Sequence, residues 1–271
     1  MVSLECELLS NQLVAPGHHV MQVAAPEIAR EVLPGQFVHL RIPRTMDPLL
    51  RRPLSVMLAD RVHGHLRLLV RAAGRGTEII VGLPPHAGVE LLGPLGSPFP
   101  MPDAIDGAAT GTDVLMVAGG VGVAPLVCLA DAMRGIDDTP YIRSMFGAST
   151  EDMLVCWTEL AARSDEFYVA TDDGSAGEHG LITDVLAAQL KRGQARVVYG
   201  CGPTAMMAQV ARMCAEAGVA CYCSFEQRMG CGVGACLSCA IGAAGGGYLR
   251  VCKDGPVFRA DAVDWEAMTS D

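Results

Sequence analysis

The sequence has little positive charge for its length. Its 20 Lys and Arg residues are outnumbered by 30 Asp and Glu residues, so the formal net charge is -10 and the isoelectric point lies near 5.1. Such a surface would on average repel nucleic acids and anionic membranes. We therefore expect no nucleic acid and no membrane among the partners of this protein, and small anionic ligands would need local basic residues.

A long apolar segment and a secretory leader are also missing. The most apolar run, residues 114–130, is interrupted by glycines and by Pro125 and is short for a helix that crosses a bilayer. The chain begins Met-Val-Ser-Leu-Glu, without the basic and apolar parts of a signal sequence. These absences predict a cytoplasmic protein whose cysteines are reduced.

The cysteine count argues against a fold held by disulfides. Eleven is an odd number, and 271 residues is far longer than the small secreted domains that depend on disulfides. Hydrophobic residues make up 51% of the sequence, enough to bury a substantial core. The length predicts two domains, or two domains and a small appendage.

Four cysteines near the C-terminus have a spacing that indicates an iron–sulfur cluster. They follow the pattern Cys-x4-Cys-x2-Cys-x12-Cys and are Cys231, Cys236, Cys239 and Cys252. The opening part of this pattern is the spacing of plant-type [2Fe-2S] proteins. Interleaved glycines such as Gly232 and Gly234 let the backbone point its amide groups at the cluster sulfurs. We predict that these four thiolates bind a [2Fe-2S] cluster and that the other cysteines do not.

A structural zinc site is the alternative for the same residues, because zinc also binds four thiolates. Zinc sites are usually built from two Cys-x2-Cys pairs, whereas this segment has one close pair and a four-residue spacer. On that alternative the protein would be a colourless binding or structural module that responds to NAD. Visible absorbance separates the two interpretations.

The N-terminal hundred residues contain short alternating segments. Apolar and polar side chains alternate between Val38 and Ile42 and again between Leu66 and Val70. Segments of this kind, cut by Pro and Gly, are typical of an antiparallel barrel or sandwich. Within residues 1–102 we predict about six strands and one helix. The assigned strands are residues 18–24, 38–42, 53–59, 66–70 and 88–92, and the helix is residues 76–83.

Two motifs in this region suggest a dinucleotide site. Residues 52–55, Arg-Pro-Leu-Ser, combine a guanidinium and a hydroxyl at a proline-stiffened strand start. Further along, Gly76 and Thr77 open the predicted helix, where Thr77 can cap the helix and free amide groups can meet a phosphate. The two motifs together favour a bound dinucleotide over a surface arginine and an ordinary helix cap.

The sequence pattern changes after a linker at residues 100–111. Apolar strands then alternate with segments of helix length, a pattern typical of a parallel, doubly wound sheet. The predicted strands of this middle domain, residues 111–222, are 114–118, 141–146, 166–170, 195–200 and 219–223. The predicted helices are 125–133, 150–163, 182–192 and 203–217, with Ser149-x-x-Asp152 as a capping box for the second.

Unusual residues fall where the strands of such a sheet end and where its ligands bind. The first turn contains Gly119, Gly120 and Gly122, which would let a helix N-terminus approach a pyrophosphate. Asp172 follows the third strand, and its carboxylate can accept ribose hydroxyls while repelling a 2′-phosphate. No Lys or Arg occurs in residues 165–189. These features favour NAD over NADP.

The turn after the fourth strand is predicted to lie beside the nicotinamide. It contains Cys201 and Gly202, and its tight backbone would bring a thiol close to the ring. We therefore interpret this turn as part of the nicotinamide pocket.

Taken together, these motifs resemble the ferredoxin-NADP reductase superfamily. The resemblance rests on Arg-Pro-Leu-Ser in the barrel, on Gly-Gly-Val-Gly-Val-Ala-Pro and Cys-Gly-Pro in the sheet, and on the cysteine loop. Within the superfamily the chain is most similar to the electron-transfer subunits of class 1B dihydroorotate dehydrogenases. The most specific part of the match runs from Glu226 and Met229 through Cys231 to Cys239.

The resemblance covers essentially the whole chain and implies three cofactor sites. It implies an α+β multidomain protein with an FAD-binding β-barrel at residues 1–102, an NAD-binding α/β domain at 111–222 and a small [2Fe-2S] domain at 223–271. The implied FAD site consists of Arg52, Pro53, Leu54, Ser55, Leu69, Val70, Arg71, Gly76 and Thr77. Independently of the resemblance, the position of Cys201 in the turn after the fourth strand and that of Glu226 just before the cysteine loop predict that both are catalytic residues beside the nicotinamide.

The family also implies a partner and a direction of electron flow. The partner would be an FMN-containing catalytic subunit that oxidises dihydroorotate to orotate, in a heterotetramer with two copies of each chain. Electrons would pass from that FMN through the cluster and FAD of this chain to NAD, as a step of pyrimidine biosynthesis. A flavin belongs next to the nicotinamide because it can collect single electrons and deliver them as a hydride.

Two other oxidoreductase systems share this three-part layout. They are the electron-bifurcating NADH-dependent ferredoxin:NADP oxidoreductases and the sulfide dehydrogenases, whose small subunits the chain also resembles. Asp172 and the all-cysteine ligand set favour the dihydroorotate system. A neighbouring reading frame for an FMN-binding barrel would separate these alternatives.

Overall fold

A computed structural model describes residues 1–42, 47–105 and 113–269 of the chain. Half of the predicted linker, residues 106–111, lies outside these ranges. In the first hundred residues, six antiparallel strands close into a barrel in the order β1-β2-β5-β4-β3-β6. The strands are β1 (Val2–Ala15), β2 (His18–Ala24), β3 (Phe37–Arg41), β4 (Arg52–Asp60), β5 (His65–Arg71) and β6 (Gly88–Leu95), and two short helices are α1 (Pro26–Glu31) and α2 (Arg75–Val81).

The alternation in the sequence corresponds to the two faces of the barrel wall. In β5 the side chains of Leu66, Leu68 and Val70 are fully buried in the barrel interior, whereas Arg67 and Arg71 are not. The predicted barrel is confirmed. The sequence pattern did not identify β1, because this long strand buries few of its side chains. It also missed α1, which has only six residues and so shows no helical period.

The helix α2 begins one residue earlier than predicted. Gly74 is its N-cap, so Thr77 occupies the third helical position and is not the cap itself. The Thr77 hydroxyl accepts hydrogen bonds from the amides of Ala73 and Gly74 and donates to the Gly74 carbonyl, at 2.9 to 3.2 Å. The hydroxyl thus ties the preceding turn to the helix.

The middle of the chain forms a sheet in the order β10-β9-β8-β7-β11-β12, in which every neighbouring pair is parallel. The order reverses between β7 and β11, as in a doubly wound sheet. Its strands are β7 (Asp113–Gly119), β8 (Tyr141–Ala148), β9 (Glu166–Thr171), β10 (Glu178–His179), β11 (Ala195–Cys201) and β12 (Ala220–Ser224). Its helices are α3 (Val123–Arg134), α4 (Trp157–Ala161), α5 (Ile182–Lys191) and α6 (Thr204–Ala217).

The predicted helix at residues 150–163 is wrong. Only a short 3-10 turn at residues 151–153 and the five-residue helix α4 occur there. Between them Val155 is buried in the core, and Cys156 has a φ of 51°, which interrupts a helix. The predicted capping box is absent too, since the N-cap of the 3-10 turn is Thr150 and no side chain caps it. Tertiary packing outweighs the local helix preference here.

The C-terminal segment is built into both preceding parts of the molecule. It contains β13 (Ala240–Gly242), β14 (Tyr248–Arg250), β15 (Val257–Arg259) and α7 (Trp265–Thr269). Strand β15 pairs antiparallel with β12 and so adds a seventh strand to the central sheet. Pro256, just before it, forms a bridge to Ser97 at the end of the barrel. The predicted boundary between residues 222 and 223 lies inside β12.

No helix among the described residues is both long and apolar enough to cross a bilayer.

Candidate functional site

A cavity of about 500 Å³ lies where the barrel, the first turn of the sheet and the C-terminal segment meet. Its walls include the start of β4, the end of β5 and the loop that follows β12. Of the residues that the sequence predicted for FAD or for catalysis, those that line it are Arg52, Pro53, Leu54, Ser55, Leu69, Arg71, Thr77 and Glu226. Motifs that are distant in sequence therefore share one site.

Arg52 and Gly76 are in direct contact. A Cβ atom added at Gly76 would overlap Nε and the rest of the Arg52 guanidinium. Only glycine leaves room for Arg52 to lie across the start of α2, so the two predicted motifs form one cradle. A guanidinium held in this way can bind a phosphate through two parallel hydrogen bonds.

Of the residues predicted for FAD, Val70 and Gly76 do not line this cavity. The Val70 side chain is 0% exposed and packs in the barrel interior with Leu66 and Leu68. In β5 the neighbouring Leu69 and Arg71 take the cavity side. Alternation along a strand explains this arrangement, because successive side chains point to opposite faces.

Sequence reasoning missed about half of the cavity lining. These residues come from β3, the turn after β5, the first sheet turn, the segment between β12 and the cysteine loop, and the position before β15, and no single motif connects them. They are Phe37, Ala73, Val121, Ala124, Phe225, Gln227, Arg228, Met229 and Pro256. Val121 and Ala124 lie within the glycine turn, and Met229 lies within the motif that begins at Glu226, so these two motifs could have identified parts of this wall.

The sheet turns beside the cavity are packed as closely as backbones allow. A Cβ added at Gly122 would overlap the Cys201 carbonyl, and one added at Gly202 would lie 3.0 Å from the Gly119 backbone. Gly120 has a φ of 53° and open space around it, so the backbone conformation, and not close packing, favours glycine at this position. The glycines thus allow the two turns to pack closely at the point where the strand order reverses.

Cys201 and Glu226 lie close enough to interact electrostatically, although only Glu226 lines the cavity. The Cys201 thiol is 4% exposed, and burial raises its pKa, an effect that Glu226 reinforces and Ser224 opposes. Glu226 is open to the solvent of the cavity, yet desolvation by the surrounding protein raises the pKa of its carboxyl, while Arg71 lowers it. The thiol is therefore protonated at neutral pH.

Asp172 lies outside the cavity, at the carboxyl end of β9. It is exposed, and its amide donates to the Ala148 carbonyl at 3.0 Å. The neighbouring Asp173 instead accepts two hydrogen bonds from Ser175, at 2.6 and 3.0 Å, which hold the turn. Of the two acids, Asp172 is the one whose carboxylate is not used by this turn.

The four predicted cluster ligands form two pairs. In the first pair, the Cys236 amide donates to Cys231 Sγ and the Cys231 amide to Cys236 Sγ, each at 3.4 Å. In the second pair, the Cys252 amide donates to Cys239 Sγ at 3.4 Å. The Gly234 amide donates to Cys252 Sγ at 3.1 Å and so connects the first loop to the second pair.

The backbone of the loop favours thiolates in the first pair. The Ser238 hydroxyl and amide, together with Cys231, lower the pKa of Cys236 to about 6. Burial acts to raise the pKa of Cys231, but the amides of Val233, Cys236 and Ala235 outweigh it and lower the pKa. Burial raises the pKa of Cys252 to about 12, and the positive charge of a bound metal would lower it.

This arrangement fits a two-metal cluster better than one zinc ion. Among the described residues, no three His, Cys, Asp or Glu side chains gather closely enough to surround a single ion. Two thiol pairs, with backbone amides directed at the sulfurs, suit a cluster in which each iron takes two cysteines. Cys221 and Cys223, whose Sγ atoms lie 3.9 Å apart, are buried in β12.

Comparisons with known proteins first define the class. Residues 5–99 match the model of an oxidoreductase FAD-binding domain, residues 116–212 that of an oxidoreductase NAD-binding domain, and residues 226–264 that of the iron-sulfur cluster binding domain of dihydroorotate dehydrogenase B. Ferredoxin-NADP+ reductase from Plasmodium falciparum shares the fold, with a TM-score of 0.63 at 15% identity over 79% of this chain and 89% of that one. The chain is an oxidoreductase with FAD-binding, NAD-binding and iron–sulfur domains.

The relatives then define the family. The electron transfer subunit of dihydroorotate dehydrogenase B (NAD(+)) from Desulforamulus reducens is 40% identical over 97% of this chain and 98% of its own length. The corresponding subunit of Geobacillus thermodenitrificans is 39% identical over 94% of this chain and 96% of its own. This chain belongs to the family of electron transfer subunits of dihydroorotate dehydrogenase B, which confirms the predicted relationship and the predicted FAD, NAD and iron–sulfur chemistry.

Proposed function

We propose that this chain passes electrons from the FMN of a dihydroorotate-oxidising partner subunit, through a [2Fe-2S] cluster and FAD, to NAD. The observation that carries the proposal is the cavity itself. Its walls combine the barrel residues around Arg52 with Met229, which directly precedes the cysteine loop. A flavin held there would lie next to the loop of Cys231 and could collect single electrons and deliver them as a hydride.

The residues that would hold FAD offer different chemistry to different parts of the cofactor. Arg52, supported by Gly76 and Thr77, offers positive charge and hydrogen-bond donors to the pyrophosphate. Ser55 offers a hydroxyl to the ring system, and Leu69 offers an apolar surface. Arg52→Ala should therefore purify with depleted flavin.

The nucleotide site is proposed at the carboxyl ends of the central strands. Gly120 and Gly122 leave the start of α3 open to a pyrophosphate, and the exposed Asp172 would accept the ribose hydroxyls. Cys201, at the end of β11, and Glu226, in the cavity wall, would border the nicotinamide. Both approach the cavity from the side of the sheet.

The cluster loop would face the partner. Cys236 is exposed, as are the loop side chains of Val233 and Leu237, at 40% and 59%. A [2Fe-2S] cluster transfers one electron at a time and needs close approach to its donor. We propose an assembly of two copies of each subunit.

Reconstitution tests the proposal. The purified chain should contain FAD and about two irons, and it should reduce a dye with NADH. With the FMN-containing dihydroorotate dehydrogenase subunit of the same organism, it should reduce NAD when dihydroorotate is added. The proposal fails if the loaded chain and the active partner together give no dihydroorotate-dependent NAD reduction, or if the chain is colourless. Cys236→Ser, which removes an exposed ligand without disturbing the core, is the control that should abolish transfer from the partner but retain FAD.

A structural neighbour supports a second candidate. A chain from the structure of the NADH-dependent reduced ferredoxin-NADP oxidoreductase, studied for flavin-based electron bifurcation, has a TM-score of 0.85 and 30% identity over 98% of this chain and 92% of that one. As the small subunit of such an enzyme, or of a sulfide dehydrogenase, this chain would join a different partner. NADH-dependent reduction of ferredoxin by the complex purified from its own cells, with no response to dihydroorotate, would favour that function.

A further inference from the structure

His39 is a fully buried histidine without a hydrogen-bond partner. Its side chain is 0% exposed, and neither Nδ1 nor Nε2 has a partner among the residues that the structure describes. Leaving a buried polar group unsatisfied costs about 1 to 3 kcal/mol. An apolar residue at this tightly packed position in a barrel strand would avoid that free-energy cost. The presence of an imidazole therefore indicates a hydrogen-bond partner that is not a protein group.

The ring of His39 lies against the cysteine loop. A Cβ added at Gly232 would lie 2.6 Å from Cε1 and 2.7 Å from Nδ1 of the imidazole. Gly232 directly follows Cys231 and has a φ of 71°, so the backbone there is shaped to pass close to the ring. The contact joins β3 of the barrel to the first predicted ligand pair.

The position of His39 separates it from the flavin cavity. Phe37, two residues earlier on the same strand, lines the cavity, whereas His39 does not. The two rings meet edge to face, with centroids 5.7 Å apart. The imidazole therefore stands behind Phe37, on the side of the cysteine loop.

The imidazole is neutral in this environment. Burial, reinforced by the charge of Arg51, lowers the pKa of His39 to about 4. A neutral ring carries one N–H donor and one bare nitrogen. It thus resembles the amides of Val233 and Ala235, which already donate to Cys231 Sγ at 3.4 and 3.2 Å.

We propose that His39 is a residue of the cluster site whose ring N–H donates a hydrogen bond to an inorganic sulfide of the bound cluster. The inference rests on the proposed [2Fe-2S] cluster and adds a donor from outside the cysteine loop. Hydrogen bonds to cluster sulfurs stabilise the more negative, reduced state and so raise the reduction potential. His39, a residue of the flavin-binding domain, would thereby help to determine the reduction potential of the cluster.

Two variants test this role on the purified, cofactor-loaded chain. His39→Phe keeps an aromatic ring against Phe37 but removes the N–H, whereas His39→Gln keeps a donor. Redox titration followed by the EPR signal of the reduced cluster should show a more negative cluster potential in His39→Phe and a value near that of the wild type in His39→Gln. The FAD potential, measured by absorbance in the same titration, should be unchanged in both.

The outcomes separate this inference from the proposed function. Equal cluster potentials in His39→Phe and the wild type, or a shift confined to the flavin, would overturn the role of His39. If His39→Phe loses its cluster, the wild type labelled with 15N-histidine is studied instead by pulsed EPR. We expect magnetic coupling between a histidine nitrogen and the reduced cluster. The absence of this coupling would overturn the inference. A wild-type chain without iron would overturn the proposed function itself.

Discussion

The contact between Arg52 and Gly76 brings two short motifs together at the proposed flavin site. Gly76→Ala should displace the guanidinium, because the added Cβ overlaps it. We expect about tenfold weaker FAD binding, equivalent to one charge-assisted hydrogen bond of about 1.5 kcal/mol. Fluorescence titration of the flavin-free chain with FAD measures this change.

Gly74→Ala is the matched control for that substitution. Gly74 precedes the same helix, its φ of 170° is extended backbone, and a Cβ added there meets nothing within 4 Å. It should bind FAD as the wild type does. If Gly76→Ala binds equally well, Arg52 does not hold the cofactor in this position.

Asp172 should determine the choice of nucleotide. Its free carboxylate would accept hydrogen bonds from two ribose hydroxyls of NAD but repel the 2′-phosphate of NADP. We expect the wild type to prefer NADH and Asp172→Ala to lose about tenfold of that preference, measured as dye reduction with each nucleotide. Asp173→Ala, which removes an acid already bonded to Ser175, should keep the preference. Equal use of both nucleotides by the wild type would remove Asp172 from the site.

The site residues that could be predicted are those in local motifs. Arg52 and Ser55 lie three residues apart in one strand, and the spacing of the four cysteines is visible in the sequence itself. Phe37 and Phe225 carry no such signal, because only the closure of the barrel and the addition of β15 bring them together. His39 was also missed, because the alternation in β3 placed it on the polar face of the barrel wall, opposite Val38 and Leu40, and no local pattern shows that the cysteine loop covers this face.

Among the structural elements, the cysteine loop and strand β12 carry thiols of different roles. Cys223 is fully buried in the strand, whereas Cys236 lies exposed in the loop. Cys223→Ser should retain about two irons per chain, and Cys236→Ser should lose them. Iron analysis of the two purified variants checks this, and loss of iron from Cys223→Ser would overturn the ligand assignment.

Strands β8 and β9 and the end of α5 are joined by one carboxylate. Glu166 accepts hydrogen bonds from Arg192 at 2.9 and 3.2 Å, and from the hydroxyls of Tyr168 and Tyr141. The Arg192 guanidinium, followed by Tyr168, lowers the pKa of Glu166 from 4.5 to about 2. Its ionised form therefore stabilises the fold above pH 4.5, and this stabilisation is lost as the pH falls towards 2.

The corresponding prediction concerns Glu166→Gln. At neutral pH the variant should lose about 1 kcal/mol of unfolding free energy, a value reduced for solvent screening. The difference from the wild type should shrink between pH 4.5 and 2, as urea unfolding at several pH values can show. The control is Glu178→Gln, an exposed carboxyl on β10. A difference that stays constant with pH would exclude the charge as its cause.

The elements that sequence reasoning placed correctly are the ones whose local pattern agrees with their burial. The helix α5 begins at Ile182 as predicted and ends one residue short of the predicted Arg192, with Gly193 at a φ of 69° just beyond it. The segment around Val155 has the composition of a helix, but its core contact forces a break at Cys156. Such a conflict between local preference and tertiary packing has no local signal.

At the scale of the whole molecule, the C-terminal segment connects the flavin and cluster sites. Phe258 of β15 is 7% exposed and packs edge to face on Phe225, with ring centroids 5.8 Å apart. Phe225 lines the cavity, and Phe258 shares a hydrophobic core with Cys239 and Cys252. The side chain of Phe258, at the edge of the central sheet, therefore packs against both the proposed flavin site and the proposed cluster site.

Phe258→Ala should consequently weaken both sites together. Removal of a buried phenylalanine costs about 3 kcal/mol or more, and the cavity it leaves would loosen Phe225 and the second thiol pair alike. We expect FAD and iron to be lost in parallel during thermal unfolding, in a single transition at lower temperature than in the wild type. Tyr248→Ala is the control, because this aromatic residue of β14 is 79% exposed and should change neither. Loss of iron from Phe258→Ala with full retention of FAD would show instead that the cluster segment unfolds independently of the barrel and the sheet.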